Sequence, residues 1–152
     1  MLSKKTKYAI NALVYLAKGK PGEAIQISRI AESENISRKF LEAILLVLRN
    51  AGLLASKKGM AGGYYLQKNP EDINIAEVVR LFEGAIALLP CVAHKYYQRC
   101  EECKDEATCG IRDVFAEIRN KTVDMLKGAT LKNIVEREHA LLSHLKTKEP
   151  II

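Results

Sequence analysis

Apolar side chains repeat with helical spacing over six segments and in short extended runs over two, and this alternation sets the expected architecture. Tyr8, Ala9, Ala12, Leu13, Tyr15 and Leu16 give an apolar face to a helix from about Lys4 to Lys18. Ser3 is placed to cap it, and Gly19-Lys20-Pro21-Gly22 to stop it. A short helix from about Gln26 to Glu34 turns Ile27, Ile30 and Ala31 to one side. After a turn at Asn35-Ile36, Ser37 caps a third helix, about Arg38 to Ala51. Phe40, Leu41, Ile44, Leu45 and Leu48 are its expected inward positions, and Gly52 lies where a left-handed cap is common. Leu53–Lys57 and Tyr64–Gln67 flank the glycine-rich Lys58-Gly59-Met60-Ala61-Gly62-Gly63, which predicts a β-hairpin. Asn74 and Glu77 have the spacing of a capping box for a helix from about Ile75 to Glu83. Residues 84–106 read as a loop. A long helix from about Ile111 to Lys127, stopped by Gly128, and a last helix from Leu131 to Lys146 complete the chain. The expected fold is therefore mainly α with a small β-hairpin wing.

Two short helices joined by a tight turn, then a basic hairpin, form the winged helix-turn-helix pattern. Charge supports that reading. Residues 1–70 hold twelve Lys and Arg against four Asp and Glu, whereas residues 71–152 hold twelve against fourteen. The basic half is the half suited to a polyanion. The third helix presents Ser37, Arg38, Lys39 and Glu42 outward at its N-terminal end, where a recognition helix reaches base edges. Arg38 has the donors for guanine and Glu42 the acceptor for cytosine, while Lys39 suits a phosphate. The hairpin adds Lys57, Lys58 and Gly59. The first helix adds Lys4, Lys5 and Lys7, with an N-terminal dipole that favours a phosphate. The candidate DNA-contacting residues are thus Ser3, Lys4, Lys5, Lys7, Tyr8, Ser37, Arg38, Lys39, Phe40, Glu42, Lys57, Lys58 and Gly59.

Apolar residues form 48% of the chain, enough for a real core, yet no run is long enough to span a bilayer. The basic start leads into Tyr8-Ala9-Ile10-Asn11 rather than a long apolar stretch, which argues against a secretory signal. The cytoplasm is the expected location, with no membrane partner. Enzymatic function is not expected. His94, His139 and His144 show no triad or metal-helix spacing, and no phosphate loop or nucleophile motif is present.

The text of the chain resembles the Rrf-two family of bacterial winged-helix regulators over roughly residues 1 to 135. The resemblance rests on Lys7-Tyr8-Ala9, Ile30-Ala31, Ile36-Ser37, Phe40-Leu41-Glu42, Leu48-Arg49-Asn50-Ala51-Gly52-Leu53 and Ala76-Glu77-Val78-Val79. Its most specific piece is the wing, Lys58-Gly59-Met60-Ala61-Gly62-Gly63-Tyr64. The family implies a homodimer with crossing long helices, and hence a pseudo-palindromic operator in double-stranded DNA. Here the long helix would be about 25 Å in length, and Ile111, Val114, Phe115, Ile118, Thr122, Met125 and Leu126 are the candidate dimer-interface residues. The expected division is 1–70 DNA-binding domain, 71–90 connecting helix, 91–109 cysteine-bearing sensor loop, 110–128 dimerisation helix, and 129–152 C-terminal helix and tail.

All four cysteines, Cys91, Cys100, Cys103 and Cys109, fall in one stretch. In a reducing compartment, such clustering favours metal or redox chemistry over disulfides. Iron–sulfur members of the family ligate a cluster with three loop cysteines, the last two separated by five residues. Cys103 and Cys109 match that pair. Cys91 matches the first, with an insertion after it. Cys100 is extra: a fourth ligand, a replacement for Cys103, or a bystander. A histidine that lies three residues after the last cysteine in some members is Arg112 here, and His94 is the nearest substitute. Thiolates suit both iron–sulfur clusters and zinc. The expected regulator therefore senses redox state, iron or nitric oxide through a cluster. The alternative is a regulator of the same fold controlled by a protein partner, thiol oxidation or zinc.

Overall fold

The computed structural model describes residues 2–146, the side chain of Lys146 excepted. The tail expected over 147–152 lies outside the described residues. Six helices and one hairpin follow in order: α1 Lys4–Ala17, α2 Ile27–Glu34, α3 Arg38–Asn50, β1 Leu54–Lys57, β2 Gly63–Leu66, α4 Ile75–Glu83, α5 Gly110–Gly128 and α6 Leu131–Lys146. The segment between α4 and α5 holds a single 3-10 turn, Pro90–Val92.

Local chemistry places the boundaries. Ser3 accepts from the Thr6 amide at the start of α1, and Ser37 accepts from the Phe40 amide at the start of α3. α2 ends on Asn35 in the left-handed conformation (φ 52°), with the Ile36 amide bonded back to the Ala31 carbonyl. Gly52 (φ 75°) then turns the chain from α3 into the hairpin. At α4, Asn74 accepts from the Glu77 amide at 3.0 Å, but only half of the expected capping box forms. The Glu77 carboxylate turns instead to Lys68, 3.1 Å away.

The core sits between α1, α2, α3, β1 and α4. Leu13, Ile30, Leu41, Ile44, Leu45, Leu48, Leu53 and Leu54 are completely enclosed. Ala9 and Ala12 supply the small side chains that let the neighbouring helices approach α1. The chain returns after α5 to finish this core: Leu131 is fully enclosed, Ile134 and Val135 pack against the cluster, and Glu138 on α6 pairs with Lys18. Ile75 donates to the Ala129 carbonyl and Leu131 to the Ile73 carbonyl, so the entries to α4 and α6 are stitched together.

The hairpin pairs Leu54 with Leu66 and Lys57 with Gly63 in antiparallel register. A short third segment joins it, because Ile25 and Tyr64 exchange both backbone hydrogen bonds at 2.9 Å. That close approach explains Gly63: a Cβ there would stand 2.2 Å from the Ile25 carbonyl oxygen. The wing is therefore tied to the strand that leads into α2.

Candidate nucleic-acid interface and cysteine site

The start of α3 is solvent-facing and ordered by its cap. Arg38, Lys39 and Glu42 are exposed, and Arg38 Nε lies 3.3 Å from Glu42 Oε1, one helical turn on. The two side chains expected to read bases are thus paired with each other across the exposed face. Phe40 departs from the inward position that its spacing suggests. It is 37% exposed, and its ring meets Tyr8 edge-to-face, with centroids 5.8 Å apart. The core closes behind Leu41, and the first turn of α3 projects beyond it, so Phe40 and Tyr8 form an aromatic step beside the cationic end of the helix.

The wing stands next to this surface. Lys57 Nζ donates to the Gly22 carbonyl at 3.1 Å and lies 5.2 Å from the Tyr65 ring centroid, so its stem is fixed against the hairpin. Lys58 and Gly59 (φ 102°) are exposed at the turn. Gln26 steadies the tip by donating from Nε2 to the Met60 carbonyl at 2.9 Å. Between wing and α3 lies a cavity of about 520 Å³, walled by Arg38, Arg49, Lys57 and Lys58 with Gln26, which precedes α2, and Ser28 in its first turn. Arg49, Gln26 and Ser28 escaped the sequence reading. A signal for Arg49 was available: it follows Arg38 by eleven residues, close to three helical turns, and so shares its face.

Lys4, Lys5 and Lys7 are exposed at the start of α1, but a carboxylate already faces this helix end. Glu83, the last residue of α4, accepts from the Ser3 amide at 2.8 Å and from the Thr6 hydroxyl. Hydrogen bonds from Ser3 and then Thr6 hold its carboxyl at a pKa of about 2. The terminus expected to favour a phosphate is therefore partly satisfied from within. Lys5 leans over the Phe82 ring at 5.6 Å.

The cysteines do not gather at one point, although the Cys103 amide donates to the Cys100 carbonyl at 3.3 Å. Cys109 is the N-cap of α5, and its sulfur accepts from the Arg112 amide at 3.4 Å. That bond lowers the Cys109 thiol pKa, helped by a hydrogen bond from Cys103. The Cys103 thiol is pushed up, by burial first and by donating to Cys109 second. Cys91 is buried in the 3-10 turn, and Cys100 is exposed, with its thiol donating to Glu102 at 3.1 Å, which raises its pKa. Among the described residues no three His, Cys, Asp or Glu side chains converge closely enough to hold a metal ion. Two of the expected ligands, Cys103 and Cys109, are together, whereas His94 lines a separate cavity beside α4. Arg119 ties α5 to the turn that holds Cys91, donating to the Val92 carbonyl at 2.8 Å, one residue from Cys91.

From Cys109 onward, α5 carries apolar side chains that this chain leaves in solvent. Ile111 is 67% exposed, Val114 54%, Ile118 41% and Met125 77%, and Thr122 continues the same stripe. Phe115 is half-buried, and Leu126 packs against the chain's own core. The described helices include none long and apolar enough to cross a membrane.

Known proteins resemble this chain in sequence and in fold. A family model described as "Rrf2: Iron-dependent Transcriptional regulator" matches residues 2–137. An rrf2-like HTH-type transcriptional regulator of Rhodobacter capsulatus is 43% identical over 138 residues, covering 89% of this chain and 92% of the relative. The HTH-type transcriptional regulator NsrR of Bacillus subtilis is 33% identical over 149 residues, covering 97% and 99%. The solved structure of CymR, the global cysteine regulator of B. subtilis, superposes with a TM-score of 0.74 at 30% identity, covering 90% of this chain and 97% of that one. With its capped third helix, tethered wing and cysteine-led α5, the chain belongs to the Rrf2 family of winged-helix transcriptional regulators.

Proposed function

We propose that this regulator binds pseudo-palindromic duplex DNA as a cytoplasmic homodimer and that its cysteine loop controls the spacing of the two recognition helices. The observation that carries this reading is the continuity of α5. Its cap is the sulfur of Cys109, and its exposed stripe of Ile111, Val114, Ile118 and Met125 begins two residues later. A bond made or broken at Cys109 therefore acts on the first turn of the helix that would pair the two copies. Ser37, Arg38, Lys39, Phe40 and Glu42 would enter the major groove, with the wing on the backbone. A twofold pair would set the half-site spacing.

The donor set fits an iron–sulfur cluster in its chemistry. Cys91, Cys103 and Cys109 would hold it, with Cys100 as the available fourth thiol. The buried Nε of Arg112, which has no hydrogen-bond partner among the described residues, is a donor beside Cys109 that suits a sulfide. A bound cluster supplies redox- and nitric-oxide-sensitive iron–sulfur chemistry. The chain's part is to place Cys109 on the helix and to anchor Val92, beside Cys91, through Arg119. Cys91 must approach the Cys103–Cys109 pair for this to happen, and the Cys100 thiol, if it joins, must turn from Glu102. The loop would then be ordered differently with and without the cluster, which is the differential contact a switch requires.

A second reading is favoured by the Cys103–Cys109 contact itself. A thiol hydrogen-bonded to a neighbour with a lowered pKa is the arrangement of a dithiol switch. Anaerobic purification with iron, sulfide and zinc analysis and an absorption spectrum separates the two. A brown, iron- and sulfide-containing protein that loses its chromophore in Cys103→Ser supports the cluster. Zinc alone, or a colourless protein that still binds DNA and forms a Cys103–Cys109 disulfide, supports the other ligand or the thiol switch. A colourless protein whose DNA binding ignores oxidant and zinc leaves control to a protein partner.

A further inference from the structure

A cavity of about 360 Å³ opens between the end of α4, the loop after Cys91 and the middle of α5. Arg80, His94 and Lys95 line it, and no Asp or Glu shares its wall. None of these three side chains makes a hydrogen bond or ion pair with another described residue. Ala85, Ile86 and Val123 supply an apolar floor. Two permanent cations held around a partly enclosed space, with no counter-charge from the chain, favour an anion there. The volume lies at the small end of ligand sites, and a few convergent polar groups over an apolar floor are what such sites share.

The backbone at the rim is specialised. Gly84 has φ 84°, and the Tyr96 ring lies 3.8 Å from where a Cβ on Gly84 would stand. Tyr96 itself has φ 61°, a conformation that is costly for a non-glycine residue. The two residues close one side of the cavity against each other.

We infer that this cavity is a binding site for a small organic anion, a carboxylate with a short apolar body, held between Arg80 and Lys95 with its body over Ile86 and Val123. The site lies apart from the DNA-facing surface and contains none of the four cysteines, although His94, Lys95 and Tyr96 belong to the loop that begins at Cys91. Because its wall includes Gly84, the residue after Glu83, an occupant would bear on the contact between α4 and the start of α1.

The test uses the ¹⁵N-labelled full-length protein, with benzoate as probe and benzamide as its neutral counterpart. Benzoate is expected to shift the amides of Gly84, Ala85, Tyr96 and Val123 saturably. Benzamide should bind about tenfold more weakly or worse, as expected for loss of a charge-assisted hydrogen bond. Arg80→Gln and Lys95→Gln should each weaken benzoate by about the same factor, and Lys95→Arg should restore it. Both Gln variants replace exposed side chains, and retained wild-type dispersion in their spectra shows that they fold. Equal binding of benzoate and benzamide would reduce the site to an apolar hole and overturn the proposal. So would shifts at other residues, shifts insensitive to both variants, or no saturable shift. The readout involves neither duplex nor metal, so its failure is distinct from failure of the regulatory reading.

Discussion

The lobe formed by α1 to α4, the hairpin and the start of α6 closes around its own core, whereas α5 and the cysteine loop do not. In the lobe, α3 buries every apolar residue of its inner face, and Leu131 arrives from beyond α5 to seal it. On α5 only Val123 is buried, and a longer stripe of apolar residues faces solvent. The contrast extends to polar groups. The lobe's buried Thr6 has a partner in Glu83, while Arg112 and Arg119 on α5 each hold a buried Nε without one among the described residues. A unit that satisfies its apolar and polar surface alone is a folded reader. A helix that leaves apolar side chains exposed and two Nε atoms unpartnered among the described residues offers the surface that the proposed pairing would cover. On the reading proposed above, the lobe reads DNA and the pairing of two copies controls it.

The largest effect should come from breaking the pair. Ile111→Lys combined with Ile118→Lys places two charges on the exposed stripe. Sedimentation should show a monomer with unchanged helix content, and affinity for a two-half-site duplex should fall about 10²–10⁴-fold as bivalency is lost. A dimer that persists with full affinity would mean that α5 is not the shared element. Next in size is a pair of truncations that probes the same contrast. Leu45→Ala empties an enclosed site in the lobe and should cost about 2–5 kcal/mol in urea unfolding. Met125→Ala, made in the monomeric background, should stay within about 0.5 kcal/mol. Comparable losses for both would erase the distinction between the two regions.

What the sequence disclosed about this contrast follows from the range of the interactions. The caps at Ser3 and Ser37 and the turn at Gly52 are local, and residue type with spacing is enough to find them. The periodicity also exposed the broad apolar side of α5, since periodicity reports how much greasy surface a helix carries. It did not report who covers it. Phe40 lies within the inward pattern of α3 but in its first turn, beyond the edge of the core, where Tyr8 rather than the core meets it. The Ile25–Tyr64 tether, the return of Leu131 and the Glu83 contact with α1 join residues far apart in sequence, and no local rule encodes them. The cysteine spacing disclosed thiolate chemistry. It did not show that Cys103 and Cys109 would stand together while Cys91 sits buried in its own turn, because that depends on how the loop packs on α5.

A smaller pair of effects sharpens the reading face. Arg38→Ala should cost about 1–3 kcal/mol on the selected duplex and relax preference at one base pair per half-site. Lys58→Ala should weaken all sequences alike and reduce the magnitude of the salt slope by about 1 per protomer. Binding to a randomised duplex library, followed by salt titration of the selected site, measures both. An Arg38 variant with unchanged preference would remove that side chain from base reading and leave it as the partner of Glu42.

The smallest effect concerns the carboxylate at the front of α1, and it is resolved by pH. Glu83 titrates at about 2 in the fold against an ordinary 4.5. A native carboxyl that holds its proton less tightly than the unfolded chain stabilises the fold where it is ionised. Its contribution is full above the ordinary value and fades as pH falls toward 2. Thermal midpoints of wild type and Glu83→Gln should therefore run parallel above pH 4.5 and converge below it. The amide variant also removes a negative charge beside Lys4, Lys5 and Lys7, so its salt-sensitive affinity for duplex of arbitrary sequence should rise slightly at neutral pH. Midpoints that stay parallel down to pH 2 would show that the carboxylate is not held by Ser3 and Thr6. The α1 terminus would then be free to receive a phosphate directly, and the lobe would owe less of its closure to the end of α4.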